Sequence, residues 1–335
     1  MVYYKLTDWI DIKKLDWVEL ADNPNAQDLL MDNPDKISWT RFSAVVKDEG
    51  FVIANIEKIN WTTLSTNKYQ VKLLKKNPDK INWYYLSFNE SDEIIPLLEA
   101  NLEKVSWPSL SFNKNPKIIR FLFDHPEYIS QICWIYLSGS NDDFVLDKLM
   151  ENPKKIDWYE LSRNDNDKAI ELLKKNPERI NWYNLSSNKN KKALEILKAN
   201  PSNIDWFTLS MVTNDEAVKF IIQHPSKINW YIFSSNSNDI AVDYILANKN
   251  NIELCSLCKN QNPRVIDYLK TANYSYLYWC QLSNNPAIFK LDYEKIRKRF
   301  EPLAEEIIRE VMHPRRINKY LLEYDYDYLE EMFGY

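Results

Sequence analysis

The sequence predicts an all-α chain: a helical-repeat solenoid of about twelve two-helix units, each of 22–27 residues, with a helical C-terminal cap. Three observations carry this. A segment of the form N-P-x-x-I-[ND]-W-x-x-L-S-x-N recurs along most of the 335 residues. The apolar positions that follow it keep a helical spacing and not the alternation of a strand. Glycine occurs three times in the whole chain, which disfavours an all-β fold built on tight hairpins. A segment repeated along a chain is a building unit before it is a site.

The tryptophans set the register. Trp17, Trp39, Trp61 and Trp83 are 22 residues apart, Trp107 follows after 24 and Trp134 after 27, and Trp158, Trp182, Trp206 and Trp230 then recur every 24. Leu254 stands where the next Trp would be, and Trp279 opens the last clear unit. Positions are numbered here from this residue, so that the one following it is +1.

Each unit reads as two helices. The first is short. Asp16, Ser38, Asn60, Asn82, Ser106, Asp157, Asn181, Asp205 and Asn229 precede the Trp, residue types that cap a helix by accepting from a first-turn amide. Trp and the Leu at +3 share one face. The second helix is the apolar run of KAIELLKKN (168–176) or KALEILKAN (192–200). It stops at Asn-Pro, because proline has no amide donor and disfavours helix at the residue before it. The 22-residue units are expected to lose their two residues in the loop before this helix. A single unit cannot bury its own apolar stripe, whereas stacked units can. At roughly 8–10 Å between packed helices, twelve units predict a rod or arc on the order of 100 Å.

The ends depart from the pattern. Residues 1–16 are expected to form an N-terminal cap, 17–289 the solenoid, and 290–335 a C-terminal helical cap. Within the last, LDYEKIRKRFEPLAEEIIREVM (291–312) reads as one charged amphipathic helix or a pair, and HPRRINKYLL (313–322) as a degenerate thirteenth unit with Lys319 in the Trp place. The tail YDYDYLEEMFGY is acidic and aromatic.

These repeats, followed by the terminal F-x-P-L-x-E-E-I-I-x-x-V-M-H-P-x-R-I, resemble short Trp-containing repeat proteins encoded in many copies by giant DNA viruses of the mimivirus kind. The resemblance spans nearly the whole chain, and the Asn-, Lys- and Ile-rich composition agrees with it. It implies little about activity. The unit length is also similar to that of leucine-rich variant repeats, which alternate α- and 3₁₀-helices, a similarity of period only.

Several function classes are disfavoured. With 43 basic against 48 acidic side chains, the chain lacks the basic excess of a nucleic-acid or anionic-membrane surface. No Gly-rich phosphate loop can be written with three glycines. No apolar run reaches the roughly 18 residues of a membrane span, and MVYYKLTDWIDIKK has no signal-peptide core. A soluble cytoplasmic protein is expected, in the host cell if viral, with packaging in virions as the alternative. Four Cys fit free thiols in a reducing compartment.

The chemistry-bearing residues fall into the repeat register. Cys255-x-x-Cys258 occupies the W-x-x-L-S slot, and no second pair or nearby His completes a zinc site. His125, His224 and His313 each precede Pro where other units place Asn, which suggests a role at a helix C-terminus. The tryptophans, bar Trp9, fit core packing better than base stacking. The aromatics at +1 (Tyr84, Tyr159, Tyr183, Phe207, Tyr231) are expected half-buried between units. The recurring Asn67, Asn89, Asn113, Asn164, Asn188 and Asn236 are expected to close the turn between helices through local backbone. Basic residues from Lys290 to Lys319, interleaved with acidic ones, read as a solvated helix face.

One position varies while its frame stays fixed. If Trp and +3 face inward, +2 points most nearly outward, and it reads Thr63, Tyr85, Ser109, Tyr136, Glu160, Asn184, Thr208, Ile232. Repeat proteins bind through such variable stripes. Tyr85, Tyr136, Glu160, Asn184, Thr208 and Ile232 are therefore the expected partner-binding residues. The expected function is a non-enzymatic scaffold for a protein partner, a host protein if the resemblance holds, with a virion structural or assembly component as the alternative. No nucleophile–base pair, cofactor motif, metal quartet or small-molecule substrate is legible. An enzyme with a site distributed over several units is the remote third reading.

Overall fold

The computed structural model describes residues 3–271, 278–313 and 315–316. It is all-α apart from one pair of short strands. Among the described residues, those within 8–288 form one compact unit, and those up to Thr7 and from Phe289 to Arg316 form another.

Within residues 8–288 the repeats follow the sequence pattern, save that the last, opened by Trp279, has its first helix followed by a 3₁₀ turn, Pro286–Ile288, in place of a second helix. The first helix is four or five residues long, as in Trp83–Leu86 and Trp182–Ser186. Asp16, Asn60, Asn82, Asp157, Asn181, Asp205 and Asn229 cap it by accepting from a first-turn amide. Ser38 and Ser106 make no such bond; the Ser106 hydroxyl donates instead to Ser109 Oγ at 2.8 Å. The side chain at +3 is the centre of the core: Leu64, Leu86, Leu161 and Leu185 are fully buried, as is Phe233.

The second helix runs to nine residues in the 24-residue units, as in Asp167–Lys175 and Lys191–Ala199. It shortens to six residues in Val71–Lys76 and five in Gln27–Met31. The shorter period is thus taken from the helix, not from the loop before it as expected. The turn lost is the one that Asn at +8 caps elsewhere, as Asn166 and Asn190 do.

After the Asn-Pro break comes an element absent from the two-helix reading, a 3₁₀ turn that begins on the proline, as in Pro78–Lys80, Pro153–Lys155 and Pro177–Arg179. The Asn before it closes the helix by donating Nδ2 to the carbonyl four residues back, Asn176 to Leu172 at 2.8 Å and Asn200 to Ile196 at 2.9 Å. The histidines expected at helix ends do the same. Nδ1–H of His125 donates to Phe121 O at 2.8 Å and that of His224 to Phe220 O at 2.9 Å. His313 differs, being exposed, with Nδ1 accepting from the Arg315 amide at 3.2 Å.

Two polar side chains fasten each unit to the one before. Ser at +4 donates its hydroxyl to the Trp carbonyl of its own unit and accepts the amide at −1 of the next, as Ser162 does with Trp158 O at 2.7 Å and Asn181 N at 2.9 Å. Asn at +6 accepts with Oδ1 from the amide two residues on, which is the local turn closure the sequence suggested. Its Nδ2 also reaches back a whole unit: Asn188 donates to Ser162 O at 3.1 Å and Asn164 O at 2.9 Å. Buried carbonyls at the ends of short helices have no partner within the helix, so the next unit supplies one.

The same contacts join the last unit to the first. Asp16 N donates to Ser283 Oγ at 2.8 Å, Asn23 Nδ2 to Ser283 O at 2.8 Å, and Asn25 Nδ2 to Pro286 O at 3.0 Å. Lys14 lies 5.4 Å over the Trp279 ring, as Lys36 lies 4.5 Å over Trp17 within the array. The first helix of unit one packs against that of unit twelve. The array therefore closes head to tail, where the sequence predicted a rod or arc. The reason is energetic: an open end would leave fully buried Leu20 and Leu282 facing water. The expected cap at 1–16 divides accordingly. Ile12–Lys14 is the 3₁₀ turn of the first repeat, and Asp16 is its helix cap.

In the other unit, strand Tyr4–Leu6 pairs antiparallel with Phe289–Leu291, a pairing the sequence did not announce. A single helix, Tyr293–Val311, follows, with Pro302 inside it. Of the degenerate thirteenth unit only His313, Arg315 and Arg316 are described; its remainder, Lys319 included, and the acidic tail lie outside the described residues.

Candidate binding surface

A one-turn helix places Trp, +3 and +4 toward the core, leaving +1 and +2 as the free directions. A helical wheel alone favours +2 as the outermost. In an array the wheel omits the neighbouring first helices, and +2 points along the array at one of them. Asn184 is 5% exposed and donates Nδ2 to Tyr159 O of the preceding unit at 2.7 Å. Thr208 is 2% exposed, with its hydroxyl on Tyr183 O at 3.2 Å. These two expected binding residues are part of the frame, and their outward placement is corrected. Ile232 is half-buried. Glu160 is half-buried and paired with Arg163 Nε at 2.9 Å. Tyr85 and Tyr136 are exposed, as expected.

The outward position is +1. Tyr84, Tyr159, Tyr183 and Tyr231 each keep about half of their surface in solvent, 50–55%, and Phe207 keeps 42%. Four of them occupy consecutive units, from Tyr159 to Tyr231. The sequence expected these rings half-buried between units, and at two seams Asn184 and Thr208 at +2 take up the contact with the preceding unit.

Tyr136 and Glu160 meet in a cleft of about 610 Å³ lined also by Phe112, Gly139, Asp142 and Arg163. Gly139 has an ordinary helical backbone, so freedom of φ is not its role. A Cβ there would come within 3.1 Å of Glu160 Oε2. Other units carry Phe112, Arg163 or Met211 at this position, so Gly139 makes room.

Trp107 is buried in the core, whereas the other tryptophans in register are half-buried at the seam and not in the core as expected. Trp206 stacks on Phe220 and Trp230 on Tyr244, with centroids 5.7 and 5.9 Å apart. Lys58 and Lys104 from the following units lie 5.6 and 5.5 Å over Trp39 and Trp83. Along the loop between the two helices runs a polar ladder. Asn190 donates Nδ2 to Asp167 at 2.7 Å, and Lys192 pairs with the same carboxylate at 3.1 Å. The hydrogen bond from Asn190, then that from Lys192, holds the Asp167 carboxyl below the usual range. The Lys117 and Asn115 bonds act likewise on Asp92.

Cys258 stands in the buried Ser place. Its backbone carbonyl accepts from Asn285 Nδ2 at 2.9 Å, and burial pushes its thiol up, opposed by a hydrogen bond from the Tyr278 backbone. This is the packing reading of Cys255-x-x-Cys258. Among the described residues no cluster of three or more His, Cys, Asp or Glu is placed to hold a metal ion. Among them, too, no helix is long and apolar enough to cross a membrane. Comparison with known proteins returned no match: no family model, no curated protein and no solved structure matches the chain.

Proposed function

We propose that this chain is a non-enzymatic scaffold that binds another protein through its outward aromatic row. The observation that supports this is the run Tyr159, Tyr183, Phe207 and Tyr231, half-exposed at one position of four consecutive units. Tyrosine presents a large contact area with few rotors to freeze and a hydroxyl that tolerates water, the properties of interface anchors. The frame beneath is fastened by buried Ser and Asn side chains, so little ordering is required on binding. Tyr85 and Tyr136 extend the row at +2. The resemblance to giant-virus repeats points to a host protein as the partner.

The test uses a partner identified by affinity capture of the tagged chain. Each single substitution among Tyr159→Ala, Tyr183→Ala and Tyr231→Ala is expected to weaken binding less than about tenfold, and the triple variant about 10²–10³-fold, with helicity unchanged. Unaltered affinity in the triple variant would remove the aromatic row from the account.

A further inference from the structure

We propose that the helix Tyr293–Val311 pairs antiparallel with the same helix of a second copy of this chain. This helix is 19 residues long and runs exposed over nearly its whole length. Tyr293, Phe300, Ile307 and Ile308 are 52–71% exposed, and with Ile296 they share one face at helical spacing. Exposed apolar groups aligned on one face of a helix mark a docking surface. Pro302 falls on the opposite, polar face, where its missing amide and ring do not obstruct a partner.

Charge identifies the occupant. Residues 293–300 hold Lys295, Arg297, Lys298 and Arg299 against Glu294, a net of +3 (four minus one). Residues 301–312 hold Glu301, Glu305, Glu306 and Glu310 against Arg309, a net of −3 (one minus four). The two halves are equal and opposite about the midpoint at Pro302. A uniformly acidic or basic partner would meet repulsion along half of the helix. A parallel copy would set like charge against like throughout. An antiparallel copy sets each basic half on an acidic half, and two-fold symmetry makes both contacts at once.

The test is sedimentation equilibrium of the full chain and of two charge variants, with circular dichroism to verify folding. Arg297→Glu/Lys298→Glu makes both halves acidic, and Glu305→Lys/Glu306→Lys makes both basic. Neither variant touches Lys295 or Arg299, which face Tyr3. The wild type is expected to dimerise, to twice 40.0 kDa. Each variant alone is expected to dissociate at least about tenfold more readily. Mixed in equal amounts, the two variants are expected to recover a heterodimer as tight as the wild-type dimer, since antiparallel pairing again opposes unlike charges.

A monomeric wild type would overturn the proposal. So would a dimer indifferent to both variants, or one in which mixing restores nothing. A chain that dimerises only after removal of residues 317–335 would show that its own tail takes the place assigned here to a second copy.

Discussion

Asn188→Asp is expected to destabilise the fold by about 3–5 kcal/mol, whereas Asn181→Asp, seven residues away, is expected to change it by less than about 0.5 kcal/mol. The two substitutions are the same exchange of an amide for a carboxylate of equal shape. Asn181 caps a helix and uses only its oxygen, which accepts from Asn184 N at 2.9 Å. A carboxylate does that equally well. Asn188 is 4% exposed and uses both ends of its amide. Its oxygen accepts from Asn190 N at 2.8 Å, and its nitrogen serves two carbonyls of the preceding unit. In the Asp variant those two carbonyls lose their donor and face a buried negative charge. Urea midpoints at constant slope measure the difference. Equal costs at the two sites would show that the link between units is not carried by this amide.

Trp107→Ala is expected to cost about 3–5 kcal/mol, the value for a large aromatic removed from a core. Trp107 is 2% exposed and lies between two nearly parallel rings, Phe121 at 5.6 Å and Tyr128 at 4.4 Å, with the His125 ring at 5.5 Å. Trp182, also at the start of its unit, is only half-buried and is expected to cost less. The same unfolding measurement ranks the two, and a Trp107 variant as stable as the wild type would contradict the packing described.

The unit and its two helices were legible because periodicity and capping are local signals. The fastening between units was legible too, though less directly. Position −1 accepts Asp and Asn interchangeably, as at Asp157 and Asn181, because a cap needs only an acceptor. Position +6 carries Asn in most units and Asp in none, with Val45, Ser140 and Val212 as its exceptions. A turn closed through Oδ1 alone would tolerate Asp. The preference for Asn therefore signals a task for the NH₂ group, and the structure shows which.

Asn184 and Thr208 were misplaced because a helical wheel describes a helix alone. Burial of Asn184 and Thr208 follows from neighbours the wheel does not contain. The closing of the array was not legible at all. It is set by the small rotation between successive units, which no single unit encodes. Unit one keeps Asp16, Leu20 and Asn23 in register, but Asp16 caps its own helix and Asn23 closes its own turn, so their presence does not announce closure.

Head-to-tail closure is the central claim, and a distance between spin labels tests it most directly. Cys280 is an exposed free thiol at +1 of the last unit, and Val18 holds +1 in the first. With Cys133, Cys255 and Cys258 changed to Ser, labels at Cys280 and Val18→Cys are expected to lie as close as labels at Tyr159→Cys and Tyr183→Cys in a cysteine-free chain, the adjacent-unit spacing of about 10 Å between backbones. An open array of the same units would separate the first pair by on the order of 100 Å while leaving the second unchanged, and that result would contradict closure.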